Sequence, residues 1–171
     1  MKNPSEVTGR VARSVSRTPV LQAACGFFGG VLAISLTGLL GRLVDAPLLI
    51  APFGASSVLL FAAPDSTFAQ PRNLVWGHLI ASTVGLAVFW LAGVGLWQMA
   101  LAVGAAIALM QLTRTAHPPA GADPLVIMLG GGASGTFLLF PVLAGVLSLL
   151  LIALVFNSVV RGERWPRRNI S

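Results

Sequence analysis

Two histidines, two arginines and one aspartate carry most of the chemistry available inside the apolar body of this 171-residue chain. His117 lies in Thr113-Arg114-Thr115-Ala116-His117-Pro118-Pro119, and His78 follows the polar turn Gln70-Pro71-Arg72-Asn73. Histidine alone changes charge near neutral pH without a shift, so either one is a candidate titratable donor. The plainer role is a hydrogen bond between helices. Arg72 and Arg114 would draw an anion towards a positive vestibule; the plainer role is snorkelling at an interface. Asp65 or Asp123 with the two histidines shows no spacing that fixes a metal geometry. No serine has a histidine at local triad spacing, and no paired carboxylates occur. No metal, no other cofactor and no catalytic residue is therefore expected, and the chain reads as a non-enzyme.

A short pattern occurs twice. Pro52-Phe53-Gly54-Ala55 and Pro119-Ala120-Gly121-Ala122 are 67 residues apart (119 minus 52), and an apolar run follows each. Proline suits the first turn of a helix, where its missing N–H costs nothing. Glycine and alanine leave the next backbone amides uncovered. A helix N-terminus so exposed attracts a small anion. Pro52, Gly54, Ala55, Pro119, Gly121 and Ala122 are thus candidate binding positions. Ser56 and Ser57 add hydroxyls to the first copy, and His117 opens the second. Asp123 stands where the first copy has Ser56. A carboxylate there repels an anion unless it is protonated, paired with Arg114 or used as a helix cap. The competing account is that both motifs are packing kinks.

The elements that position these groups follow from composition. Hydrophobic residues make up 56% of the chain and charged residues 9%, against about 25% charged in an ordinary soluble domain. That excludes a disordered chain, a soluble enzyme and a nucleic-acid reader with a solvated basic face. Four stretches carry no charge: Thr18–Gly41, Ala46–Pro64, Asn73–Thr113 and Pro124–Val160, of 24, 19, 41 and 37 residues. About 20 apolar residues make one helical crossing. The first stretch is one crossing. The third holds two, with a turn near Gly93, Gly95 and Gln98. The fourth holds one, about Phe137 to Val160, after a shorter piece from Ala122 to Leu129. Pro52 and Gly54 interrupt the second, leaving a continuous helix of about Ala55 to Ala63.

The expectation is an all-α polytopic membrane protein of two repeats. Each has three helical elements with the middle one short or broken. Broken helices at matching positions of repeats point to a transport site. The two short elements are expected to meet near the midplane through their N-terminal ends.

Lys2, Arg10, Arg13 and Arg17 precede the first span, and Arg161, Arg164, Arg167 and Arg168 follow the last. The positive-inside rule puts both termini in the cytoplasm, with an even number of crossings. Six are preferred over four, because six leave Arg72 and Arg114 inside. The divisions are a basic cytoplasmic segment at 1–19, a transmembrane domain at 20–160 and a basic cytoplasmic tail at 161–171. The expected location is a bacterial inner (plasma) membrane. The net charge of +6 reflects topology and headgroup contacts, so the partners are the bilayer and a small inorganic anion, with no nucleic acid. Cys25 alone excludes an internal disulfide. Gly130-Gly131-Gly132-Ala133-Ser134-Gly135 has no lysine after it, and reads as a connector or close-packing segment rather than a phosphate loop.

Thr115-Ala116-His117-Pro118-Pro119-Ala120-Gly121-Ala122 resembles the signature of the HPP family of integral membrane proteins. Pro52-Phe53-Gly54-Ala55-Ser56, Gln70-Pro71-Arg72-Asn73 and Gly77-His78 are also similar to that family's pattern, and the likeness covers about residues 20 to 160. Members are small membrane proteins, usually described as four-span. Plastid and cyanobacterial members are implicated in nitrite transport. The resemblance implies a transporter or channel for nitrite or a similar small monovalent anion. A domain this thin-walled is expected to form a homo-oligomer. The rival expectations are a non-conducting assembly or binding subunit, and a lipid-headgroup enzyme using His117 and Asp123 as acid and base.

Overall fold

Among the described residues, the first three α-helices each begin at a proline, and the fold follows from where those prolines fall. A computed structural model describes residues 18–162 and 165–167, and all regular elements among them are helical. The helices are α1 (Pro19–Leu43), α2 (Pro52–Ala62), α3 (Pro71–Ala92), α4 (Leu96–Leu112), α5 (Asp123–Leu129) and α6 (Ala144–Val155). A 3-10 turn at Pro118–Ala122 leads into α5. Helical turns on both sides extend α6 into one apolar segment, Gly135–Val160. Phe140 leaves helical geometry just before Pro141, a residue that cannot donate to the helix ladder. Lys2, Arg10, Arg13, Arg17, Arg164 and Arg168 lie outside the described residues.

Proline at the first helical position starts α1, α2 and α3. Thr18 Oγ1 accepts from the Leu21 amide at 3.4 Å at the head of α1, as a helix cap should. Gly93, at φ 75°, ends α3. The helix of the second uncharged stretch starts at Pro52 itself, not at Ala55 as expected, because proline is compatible with that first turn. Among the described residues, three segments are long and apolar enough to cross a membrane: Pro19–Leu43, Pro71–Ala92 and Gly135–Val160. The expected fourth long crossing, α4, has 17 residues.

Contacts fix which ends lie together. Arg72 at the head of α3 donates to the carbonyls of Thr113 and Arg114 after α4. Arg161 after α6 donates to the Phe61 carbonyl near the end of α2. Trp165 donates to Pro64, and the early turn of α1 at Gly26 faces Ala62. All of these share one end of the bundle. At the other end, Gly132 meets Phe89 and Gly135 meets Trp90.

The short helices span only part of that length. The head of α2 lies inside the bundle, where Phe53 packs on Gly145 and edge-on against His78. From there α2 runs to the first end. The head of α5 lies at the same depth, with Asp123 bonded to Ser82 and Pro124 against Gly85. From there α5 runs to the second end. A stretch without α-helix precedes each, 44–51 before α2 and 113–122, with its 3-10 turn, before α5. The described residues thus contribute six α-helices to the bundle, two of them short. Arg72 and Arg114 lie at the end that holds the start of α1 and the close of α6, and Arg42 lies at the other.

One core joins Phe53, Leu60 and Phe61 of α2 to Ala33 of α1, Leu74 of α3 and Val146, Leu149 and Ala153 of α6. In lipid such helices are held by close packing and interhelical hydrogen bonds rather than by a hydrophobic drive. Thr37 and Ser148 supply one such bond at 2.8 Å. Gly77 and Gly85 let the 117–124 segment lie on α3. A Cβ at Gly77 would stand 2.6 Å from His117 Cβ, and one at Gly85 would stand 2.8 Å from Pro124 Cα.

Candidate functional site

Backbone carbonyls at irregular segments need donors when no water is at hand, and polar side chains supply them here. Asn73 donates to Ala116 at 2.8 Å, Asn157 to Leu60 at 3.2 Å and Gln70 to Pro64 at 3.0 Å. These bonds hold the two short elements in position. Arg72 does the same at the close of α4, at 2.9 Å to Thr113 and 3.3 Å to Arg114. Its guanidinium fork is spent on backbone as well as being exposed. Arg114 is exposed in the left-handed conformation at φ 55°.

Between the heads of α2 and α5 lies a continuous buried network. His117 Nδ1 is 2.7 Å from the Phe68 carbonyl. His117 Nε2 is 2.9 Å from Ser56 Oγ, and Ser56 Oγ is 2.9 Å from His78 Nε2. His78 Nδ1 is 2.8 Å from Asp123 Oδ2, to which Ser82 donates at 3.0 Å. Ser56, His78, Ser82, His117 and Asp123 are all 0% exposed. Asp123 Oδ1 has no hydrogen-bond partner among the described residues. Buried ionisable groups at this depth are costly and mark functional positions by default.

The sequence-predicted residues divide into two groups across this region. Ser56, His78, His117 and Asp123 form the network. Pro52, Ala55, Pro119 and Ala122, with Ala51 and Pro118, wall an open groove of ≈ 640 Å³ on the other side of α2. That wall is apolar. Gly54 is exposed, and neither Gly54 nor Gly121 has anything within 4 Å of where a Cβ would stand. Ser57 donates to Phe53 at 2.8 Å and faces neither region. The Gly54 amide already donates to Ala51. Asp123 pairs with His78 and Ser82, not with Arg114, and the residue preceding it, Ala122, holds the cap position.

Ser82 is the network member that sequence reading did not single out. Its signal was its place four residues after His78, on the same helix face. Asp123, His78 and Ser56 stand in the order carboxylate, imidazole, hydroxyl of a hydrolytic triad. The Ser56 hydroxyl is fully enclosed, however, and His117 occupies its other side. Among the described residues no group of three His, Cys, Asp or Glu side chains is placed to hold a metal.

The sequence matches the family described as HPP, transmembrane region, over residues 15–166. A transmembrane protein of Dictyostelium discoideum is 37% identical over 147 residues, covering 81% of this chain and 52% of that protein. A second from the same organism is 40% identical over 125 residues, covering 69% of this chain and 40% of its own length. The chain therefore spans about half the length of these relatives or less. No solved structure matches. The network residues His78 and His117 and the wall of the groove all fall inside the matched region, and the chain belongs to the HPP family of transmembrane proteins.

Proposed function

We propose that this protein transports a small monovalent anion, nitrite foremost, along the groove where its two short elements meet. The observation that carries this is the convergence of the head of α2 and the Pro118–Ala122 turn part-way along the bundle, walling one groove between them. An α-helix N-terminus carries about half a positive charge. The Phe53 and Gly54 amides already donate to Ile50 and Ala51, so the attraction comes from that end charge rather than from free amides. Gly54 and Gly121 directly precede the groove-wall residues Ala55 and Ala122, and with no side chain they leave the backbone there uncovered. The choice of nitrite rests on the family resemblance alone.

The architecture is that of two span–short–span repeats, with the second inverted. The two short helices run to opposite ends from a shared depth. Ser56 and Asp123, at matching positions of the two copies, bond the two ring nitrogens of the same His78. Arg72 and Arg114 mark the entrance at the end that holds the start of α1 and the close of α6; we place that end in the cytoplasm by the positive-inside rule, and the membrane is proposed to be a bacterial inner one. The groove is open, with Val58 61% exposed at its wall, and a homo-oligomer would close it.

Flux into liposomes tests the proposal. The purified protein is expected to pass nitrite above protein-free vesicles. Vesicles that pass no nitrite, nitrate, formate or chloride would overturn transport and leave a non-conducting assembly subunit.

A further inference from the structure

The hydrogens of the buried network can be counted. A carbonyl only accepts, so His117 Nδ1 carries a hydrogen towards Phe68. A neutral His117 then has a bare Nε2, and the Ser56 hydroxyl donates to it. Ser56 has one hydrogen, so its bond to His78 is made by a hydrogen on His78 Nε2. One more hydrogen lies between His78 Nδ1 and Asp123 Oδ2. Whether that hydrogen rests on nitrogen or on oxygen, the net charge of the network is zero.

A second fully bonded state lies one proton higher. Ser56 Oγ is also 3.3 Å from the Pro52 carbonyl. If the hydroxyl turns to Pro52, its oxygen can accept from both imidazoles at once. His117 Nε2 then takes a proton from solution and donates it to Ser56. One N–H bond forms, the Ser56 O–H bond only rotates, and no contact is lost. The network now carries one positive charge. Two imidazoles facing each other directly would have no such second state. The bridging hydroxyl and its spare acceptor create it.

We infer that Ser56, His78, His117 and Asp123 form a proton-binding site that takes up one proton with each anion entering the groove. The anion half of this inference rests on the function proposed above. Pro52 links the two parts, because it walls the groove and supplies the spare acceptor. The charge gained lies directly behind the helix end that faces the anion, so each ion lowers the cost of the other. The surrounding elements carry few competing groups. Helices α2, α4 and α6 contain no ionisable residue, α3 adds only Arg72 and α1 only Cys25 and Arg42. Asp65 and Arg114 lie on connecting segments, outside the network.

Two measurements on the full chain test this. In proteoliposomes, one-proton coupling accumulates nitrite about tenfold for each pH unit of inside-alkaline gradient, above protein-free vesicles. Ser56→Ala is expected to abolish that accumulation and Ser56→Thr to restore it. Wild-type nitrite flux that ignores the pH gradient would overturn the coupling and leave anion transport standing. Separately, the ¹⁵N signals of the two imidazoles in the purified protein are expected to show His117 Nε2 passing from bare to protonated as the buffer is acidified, with His78 responding in the same transition. Histidine signals that do not change on acidification, in folded protein, would overturn the proton site whatever the flux. Proton uptake seen in that titration without any anion flux would instead overturn the anion reading alone.

Discussion

His78 Nδ1 lies 2.8 Å from Asp123 Oδ2, and that contact joins α3 to the head of a helix 45 residues further along the chain. It ties down the point where the 3-10 turn Pro118–Ala122 gives way to α5. A carboxylate at Asp123 had looked incompatible with an anion site. Its partner neutralises it, so the charge at the head of α5 is spent inside the fold rather than presented to the groove.

Breaking that pair from one side should be costly. Removing one partner of a buried pair typically costs about 3–5 kcal/mol. Asp123→Ala is expected to destabilise the protein on that scale, measured by thermal unfolding in detergent. The double variant His78→Ala/Asp123→Ala should lose less than the sum of the single variants, because neither leaves the other unpaired. Additive losses would show that the contact contributes nothing.

Two glycines should respond with opposite signs. Gly77→Ala places a Cβ 2.6 Å from His117 Cβ, and overpacking of this kind costs about 1–3 kcal/mol. Gly104→Ala meets open space on α4 and should stabilise by about 0.5–1 kcal/mol through helix propensity. Unfolding curves of the two variants check the pair. An unchanged Gly77→Ala protein would mean that His117 does not rest against α3.

The guanidinium of Arg72 holds the end of α4 by hydrogen bonds to two carbonyls. Loss of such a bond costs about 0.5–1.5 kcal/mol. Arg72→Ala should therefore lower stability modestly and open the 113–117 segment to proteolysis. Arg72→Lys should restore only part of it, since a lysine lacks the planar fork. Equal protease resistance in all three proteins would remove this structural role.

Gly54 and Gly121, each the chain neighbour of a groove-wall residue (Ala55 and Ala122), separate folding from function. Gly54→Val and Gly121→Val add side chains where nothing lies within 4 Å, so both proteins should fold with unchanged helicity. Nitrite flux should fall about tenfold in either, equivalent to about 1.4 kcal/mol on the passage of the ion. Undiminished flux in well-folded variants would move the pathway away from this groove while leaving transport intact.

Much of the fold was legible in the order of residues. The uncharged stretches gave the spans because a charge in hydrocarbon is expensive. Pro52 and Pro119 were legible as first-turn prolines, whereas the helix starts at Pro19 and Pro71 were seen only in the structure. Gly93 marked an end. The repeated P-x-G-A located both short elements, since each combines a start signal with a stretch too short to cross. His78 and His117 were identifiable as candidates because so few polar residues interrupt the spans.

What the sequence left open was which faces of those elements meet. Ser56 and Ala55 are neighbours, yet helical geometry sends one into the network and the other to the groove. Ser56, His78, His117 and Asp123 come from three separate parts of the chain. The bond partners that complete them, the carbonyls of Phe68 and Pro52, belong to the backbone and leave no trace in residue type. Local sequence determined the helices and where they break, because those depend on backbone chemistry within a few residues. Only the tertiary structure decided that the breaks share one depth and that a single serine bridges two histidines there, because that depends on close packing across Gly77, Gly85 and Gly145.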